Sequence, residues 1–250
     1  MSVPVDSRRF RRRSLLLSAL AVTALVATPF VAPRAYAQAP ANKPKIGIIG
    51  SGNVGSNLGR VWAQAGYQVM FSSKDIEADR KLAAQVGANA RAGTPQEAAA
   101  FGDVLVFAVP YGALPELGKS LGGALKGKVV IDCSNPFPQR DGAIADEARA
   151  QGAGVMTARL LPGVRLVRAF NAIGAARMGA VHETPGSIGM PFAGEDAQAI
   201  AIATQLIRAI GFEPVQVGGL AMGKYLMPGT PLAGEHTPAE VRQIAATLKP

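Results

Sequence analysis

Apolar residues along this chain follow two rhythms. Short continuous runs alternate with longer stretches in which apolar positions recur three and four residues apart. The first rhythm predicts buried strands and the second amphipathic helices. Strands are expected at 45–49, 67–74, 88–92, 103–109, 128–133, 165–170, 187–193 and 213–217. Helices are expected at 53–65, 76–86, 114–125, 197–210, 220–226 and 238–248, and at 143–161 in two pieces broken near Gly152. A further helix opens at Thr94-Pro95-Gln96-Glu97, with Thr94 as cap, Pro95 in the first turn and Glu97 as the reciprocal partner. In the helix from 76, Leu82 and Val86 are expected to face inward, and Trp62 is expected in the core. Strands alternating with helices define an α/β fold: a doubly wound, mostly parallel sheet of Rossmann type, with a strand-containing C-terminal extension.

One junction carries chemistry. The first strand runs into Gly50-Ser51-Gly52-Asn53-Val54-Gly55, a G-x-G-x-x-G turn that opens a helix. Gly50 permits the tight turn, Gly52 lets the backbone approach a pyrophosphate, and Gly55 lets the helix pack close to the strand. The pyrophosphate then meets free N–H groups at the positive end of the helix dipole. The second strand ends in Ser72-Ser73-Lys74. An NAD site usually carries Asp or Glu there to bond the ribose 2′-hydroxyl. Two hydroxyls and an ammonium suit a 2′-phosphate instead, so NADP is expected over NAD. Asp75 is read as the cap of the next helix.

Ligands of such sheets bind beyond the carboxyl ends of the strands. Four strand tips therefore point to one crevice: Ser72-Ser73-Lys74, Val109-Pro110-Tyr111, Ser134-Asn135-Pro136 and Asn171. The single cysteine, Cys133, reads as a small buried residue, and with no second cysteine it makes no internal disulfide. His182 and His236 lack companions at metal spacing, so no metal site is assigned. No acid–base dyad is evident.

The amino terminus follows other rules. Residues 1–37 combine a basic arginine cluster, an apolar run from Leu15 to Val31 and an Ala35-Tyr36-Ala37 cleavage site. Arg12-Arg13-Ser14-Leu15-Leu16 resembles a twin-arginine signal, which is read by machinery that exports folded proteins. The expectation is a cleaved export signal, a 38–44 linker and a single dinucleotide-binding domain over 45–250, placed in the periplasm or secreted. An uncleaved membrane anchor is the alternative. Of the formal +9 charge, the leader holds six Arg and one Asp; the remainder keeps 20 basic and 16 acidic residues, a net of +4. No Lys/Arg block with interleaved aromatics remains, so no nucleic-acid site is expected.

The motifs at these separations resemble the NADP-dependent oxidoreductases that use the deazaflavin coenzyme F420. They are also similar to the NADPH-binding domain of the six-transmembrane ferric reductases. The matching segments are 48–55, Ser73-Lys74, 108–111, 130–136, 167–171, 192–196 and Lys224-Tyr225-Leu226-Met227-Pro228. The resemblance implies that Ser51, Asn53 and Val54 line the pyrophosphate turn, and that Ser73 and Lys74 hold the 2′-phosphate. It implies Ala108, Val109 and Pro110 beside the riboses, and Asn135, Pro136 and Asn171 near the nicotinamide. Family members commonly carry Arg at the position of Lys74, and Lys keeps the charge without the bidentate fork. The implied chemistry is direct hydride transfer between the nicotinamide and a stacked acceptor ring. F420 is the acceptor the family implies. A flavin, a ferric complex or a small carbonyl or imine compound is the alternative, and an exported dinucleotide-binding protein without turnover is the reading from another class. A homodimer is implied by the resemblance alone.

Overall fold

The computed structural model describes residues 43–180 and 184–250. The expected export signal, most of the linker and His182 lie outside the described residues.

The chain begins β1 (Ile46–Ile49), α1 (Asn53–Gln64), β2 (Val69–Ser72), α2 (Ile76–Val86), β3 (Ala90–Ala92), α3 (Pro95–Phe101) and β4 (Val104–Phe107). It continues with α4 (Leu114–Leu125), β5 (Val129–Asp132), the short α5 (Pro138–Asp141), α6 (Ala143–Gln151), α7 (Ala153–Leu160) and β6 (Arg165–Ala169). The last part holds α8 (Ala175–Met178), β7 (Gly189–Gly194), α9 (Ala197–Ala209), β8 (Glu213–Gly218) and α10 (Pro238–Thr247). These described strands form one sheet in the order β3-β2-β1-β4-β5-β6-β7-β8. All pairs are parallel except β6 with β7. The strand order reverses between β1 and β4, and that switch point is where such a sheet opens a crevice at its carboxyl edge.

The uniformly apolar runs explain the central strands. Every residue of β1, β4 and β5 is buried, because helices cover both faces of the sheet. On one face Ile46, Ile48, Val104, Val106, Ile131 and Val167 pack with Leu58, Trp62 and Leu206 from α1 and α9. On the other, Ile49, Leu105, Phe107 and Val130 pack with Ala98, Leu114, Leu121 and Met156. Trp62 is fully buried, and its indole N–H donates to the Leu206 carbonyl at 2.9 Å. A smaller cluster of Val215, Met222, Leu226, Leu232 and Val241 closes the C-terminal end.

The expected strands and helices are present, with strand ends shortened where the backbone turns into the loops. The capping box at Thr94 and Glu97 forms, and Asp75 caps α2 by accepting from the Ala78 N–H at 3.0 Å. Helices break at Gly152 as expected, between α6 and α7. Three features differ. β7 runs antiparallel to β6, and the parallel βαβ order then resumes with β7, α9 and β8. Residues Leu220–Tyr225 wind as a 3-10 helix. In α2 the fully buried positions are Asp79 and Ala83, while Leu82 and Val86 are only partly buried against the first layer.

Candidate active site

The glycine turn is built as its spacing requires. Gly50 sits at φ +99°, in the region that side chains disfavour. A Cβ at Gly55 would stand 2.1 Å from the Gly50 carbonyl oxygen, so only glycine lets α1 approach β1 this closely. A Cβ at Gly52 would meet nothing within 4 Å, so this position faces open space. Gly52 is the N-cap of α1, with no side-chain cap and no acidic residue in the first turn. The first N–H groups of α1 are therefore left to whatever binds there, at the positive end of the dipole. That arrangement fits a pyrophosphate.

Beside the turn lie the β2 tip residues. Ser73 is partly exposed and Lys74 exposed, and Lys74 makes no ion pair among the described residues. Ser72 behaves otherwise. It is fully buried and donates to the Ile48 carbonyl at 2.6 Å. The expectation that Ser72 faces the nucleotide is corrected: as the last β2 residue, its side chain alternates back into the sheet. Beneath Ser51 and Ser73 lies Asp79, 1% exposed. One carboxylate oxygen accepts from the Ser51 hydroxyl and the other from the Ser73 hydroxyl, the latter at 2.8 Å. Asp75, next to the β2 tip, reads in sequence as a cap and not as a ribose ligand; α2 brings a second carboxylate, Asp79, back from six residues beyond Ser73.

From the turn, a crevice of about 230 Å³ runs across the switch point. Asn53, Val54, Ala108, Val109, Pro110, Cys133, Asn135, Phe137 and Arg140 line it. Of the four tips expected to share it, those after β4 and β5 contribute Val109, Pro110 and Asn135, joined by the glycine turn after β1, while Ser72, Ser73, Lys74 and Asn171 are not among these lining residues. Pro136, expected near the nicotinamide, is buried and absent from the lining, directly after the lining residue Asn135. Tyr111 turns inward: its hydroxyl lies 3.1 Å from the Ala153 carbonyl and 3.2 Å from Thr157 Oγ1. Burial pushes its phenol up to about 12. Asn171 is 2% exposed and lies behind Asn135, so it braces the wall instead of lining it.

The wall is held by a buried polar network. Arg168 donates to Asp132 at 2.6 Å, and both are fully buried. Asp132 also accepts from Thr157 at 2.9 Å and from the Ser134 N–H at 2.8 Å. Arg168 donates again to Asn135 Oδ1 at 3.1 Å, and Asn135 Nδ2 donates to the Asn171 carbonyl at 2.8 Å. Each end of the Asn135 amide is fixed, with one lone pair and one N–H still to spare. Phe170, just before Asn171, holds φ +64°, unusual for a bulky residue. Trp62 and Phe212 grip its ring edge-on at 5.7 and 6.3 Å. Asn171 Oδ1 is buried with no partner.

Three lining residues were not assigned to the site from sequence. Phe137 is 37% exposed, and the Arg140 guanidinium sits 5.0 Å from its ring centre. Arg140 is anchored by Asp141 and by the Asn135 carbonyl, at 2.8 Å each. Cys133 is buried as expected but also borders the crevice, and burial raises its thiol well above the usual range. An aromatic directly after Asn135-Pro136 was the available signal for the first. The other two had none.

Fold and turn together define a Rossmann-type dinucleotide-binding oxidoreductase. A family model described as NADP oxidoreductase, coenzyme F420-dependent, matches residues 45–136. The F420-dependent NADP reductase of Methanothermobacter thermautotrophicus is 30% identical over 202 residues, covering 75% of this chain and 87% of that protein. The chain belongs to this family of NADP-dependent oxidoreductases. Metalloreductase STEAP3 of Rattus norvegicus is 28% identical over 191 residues, again 75% of this chain, but the match spans only 36% of that longer protein. Among solved structures, a hypothetical protein, SMa0349, from Sinorhizobium meliloti aligns with TM-score 0.68 and 26% identity, over 77% of this chain and 95% of that one. A putative F420-dependent NADP reductase from Arthrobacter sp. FB24 aligns with TM-score 0.64 over 72% and 87%; at 20% identity it supports the fold alone.

Proposed function

We propose that this protein transfers a hydride between NADP(H) and a flat acceptor ring of the deazaflavin F420 type. The observation that carries the reading is the crevice itself. It joins the uncapped α1 terminus to an open mouth bearing an exposed aromatic ring and a guanidinium. Bound NADP(H) supplies or takes the hydride. The chain's own residues position and shield it. In this reading Gly50, Ser51, Gly52, Asn53, Val54 and Gly55 cradle the pyrophosphate. Ser73 and Lys74 meet the ribose 2′ position, and Ala108, Val109 and Pro110 flank the riboses. Asn135 holds the nicotinamide edge, braced by Asn171 and Arg168. Phe137 gives the acceptor a stacking face, and Arg140 attracts an anionic tail on it. A ferric complex needs neither a stacking face nor an anchor for a tail, which favours the deazaflavin over the ferric alternative.

Residues 1–37 are assigned as a twin-arginine export signal, placing the protein outside the cytoplasm with its nucleotide already bound. Replacing Arg12 and Arg13 by Lys and fractionating the cells tests this; unchanged export would sink it. The function itself is tested with purified full chain, NADPH and, separately, F420, a flavin and a ferric complex, following nicotinamide absorbance. Oxidation with F420 well above the others is expected. Oxidation by none of them would remove this reading and leave the small carbonyl or imine acceptor and the non-catalytic binding reading.

A further inference from the structure

The adenosine end of the site holds something the 2′-phosphate reading does not require. Ser51, in the glycine turn, and Ser73, at the β2 tip where the ribose 2′ position is read to lie, are joined through one buried acid, and each hydroxyl has one proton. Asp79 accepts both protons, one on each carboxylate oxygen, and for Ser73 its 2.8 Å contact is shorter than the 3.3 Å to the Asp75 carbonyl, the other acceptor in reach. What the two oxygens present outward is therefore lone pairs, and one of those on Ser73 already accepts from the Asp75 N–H at 3.1 Å. A phosphate dianion offers only acceptors and needs donors. A ribose 2′-hydroxyl can donate. Asp79 is 1% exposed and has no cation partner among the described ion pairs, so its charge acts on the ribose pocket through the two serines. Against it stands Lys74, an exposed point charge without a fork.

We propose that Asp79 is the residue that sets this chain's choice between NADP(H) and NAD(H). It keeps the preference for the 2′-phosphate shallow by orienting Ser51 and Ser73 as acceptors and by placing a buried negative charge beneath them. This rests on the reading that the glycine turn holds a dinucleotide. The same geometry also ties α2 to the glycine turn, and a purely structural tie would leave the ratio of the two affinities alone.

The test is equilibrium titration of the full chain with NADPH and with NADH, read by nicotinamide fluorescence. Wild type is expected to favour NADPH by less than about tenfold, below what a single charge-assisted hydrogen bond to the phosphate would give. Asp79→Asn keeps an acceptor for one serine, turns the other hydroxyl outward and removes the charge. It should tighten NADPH by about tenfold and leave NADH within about twofold. Ser73→Ala in the wild-type background should weaken NADPH by less than about threefold, since that hydroxyl gives the phosphate no proton. In the Asp79→Asn background Ser73→Ala or Ser51→Ala, whichever removes the outward-turned hydroxyl, should cost about tenfold, a coupling that only reorientation of the hydroxyl produces. A wild-type preference above about a hundredfold, or an Asp79→Asn ratio equal to wild type, would overturn the proposal. If Asp79→Asn does not fold, Ser73→Ala alone decides, because a loss of NADPH affinity beyond about tenfold means that Ser73 donates to the phosphate. Binding of neither nucleotide by wild type would instead remove the dinucleotide reading itself.

Discussion

Two carboxylates are buried near the site, Asp132 behind the crevice wall and Asp79 beneath the glycine turn and the β2 tip, and their surroundings are unlike. Asp132 meets a guanidinium, a threonine hydroxyl and a backbone N–H. Asp79 meets two serine hydroxyls that themselves border the site. The first is a closed network whose outermost member, Asn135, is locked at both ends of its amide. The second passes its charge directly to the groups a nucleotide would touch. Burial alone therefore does not separate scaffold from selectivity; the partners do. Where a buried acid has a cation, changing it costs stability. Where its partners are ligand-facing hydroxyls, changing it costs or gains specificity.

The sharpest way to break this contrast is at Arg168. Arg168→Leu strands the Asp132 carboxylate in a dry interior, and removing one member of a buried pair costs about 3–5 kcal/mol. Urea unfolding should show that loss, and the double change Asp132→Leu with Arg168→Leu should recover part of it. By contrast, Asp79→Asn should move the unfolding free energy by less than about 1 kcal/mol, since the amide still satisfies both serines. Equal losses at the two positions would erase the distinction.

The two surroundings should also differ in alkali. Around Asp132 stand two further acids held neutral by burial: Tyr111, pushed up to about 12, and Cys133, raised well above its usual 9.0. A group whose pKa is raised on folding contributes stability that is complete below its unfolded pKa and lost as pH climbs towards the folded one. For Tyr111 that window runs from about 10 to about 12. The loss across it is about 2 kcal/mol, and Cys133 begins its own decline from about 9. Wild-type unfolding free energy should thus fall steeply between about pH 9 and about pH 11.5. Tyr111→Phe, although slightly less stable at neutral pH, should flatten part of that slope. A slope unchanged in Tyr111→Phe would mean that the phenol does not carry it.

The sheet was legible because its central strands are apolar on both faces, and the glycine turn because Gly50 and Gly55 answer to sterics that no other residue satisfies. Capping at Thr94 and Asp75 was readable from local side-chain chemistry for the same reason. What the sequence hid is what tertiary folding brings together. Asp79 sits at a helical position that local pattern assigns to the surface, yet it is drawn under the turn by two serines, one of them 28 residues earlier. Arg168 lies within the run of β6, and only the Asp132 partner 36 residues away explains its burial. Ser72 and Ser73 look equivalent in sequence; the strand's alternation sends one into the sheet and leaves the other at the lip.

The smallest expected effect lies at the outer lip, where the crevice meets solvent. Phe137 and Arg140 touch neither buried carboxylate, so they should separate acceptor binding from both stability and nucleotide choice. Phe137→Ala removes one stacking face, and such contacts are worth about 0.5–1.5 kcal/mol beyond area burial. KM for a deazaflavin acceptor should rise about two- to tenfold, the corresponding range at 1.4 kcal/mol per decade. The NADPH dissociation constant and the unfolding midpoint should stay at wild-type values. A fall in kcat at unchanged acceptor KM would place Phe137 against the nicotinamide instead of the acceptor. A matching loss of NADPH affinity would extend the adenosine-to-nicotinamide track out to the lip itself.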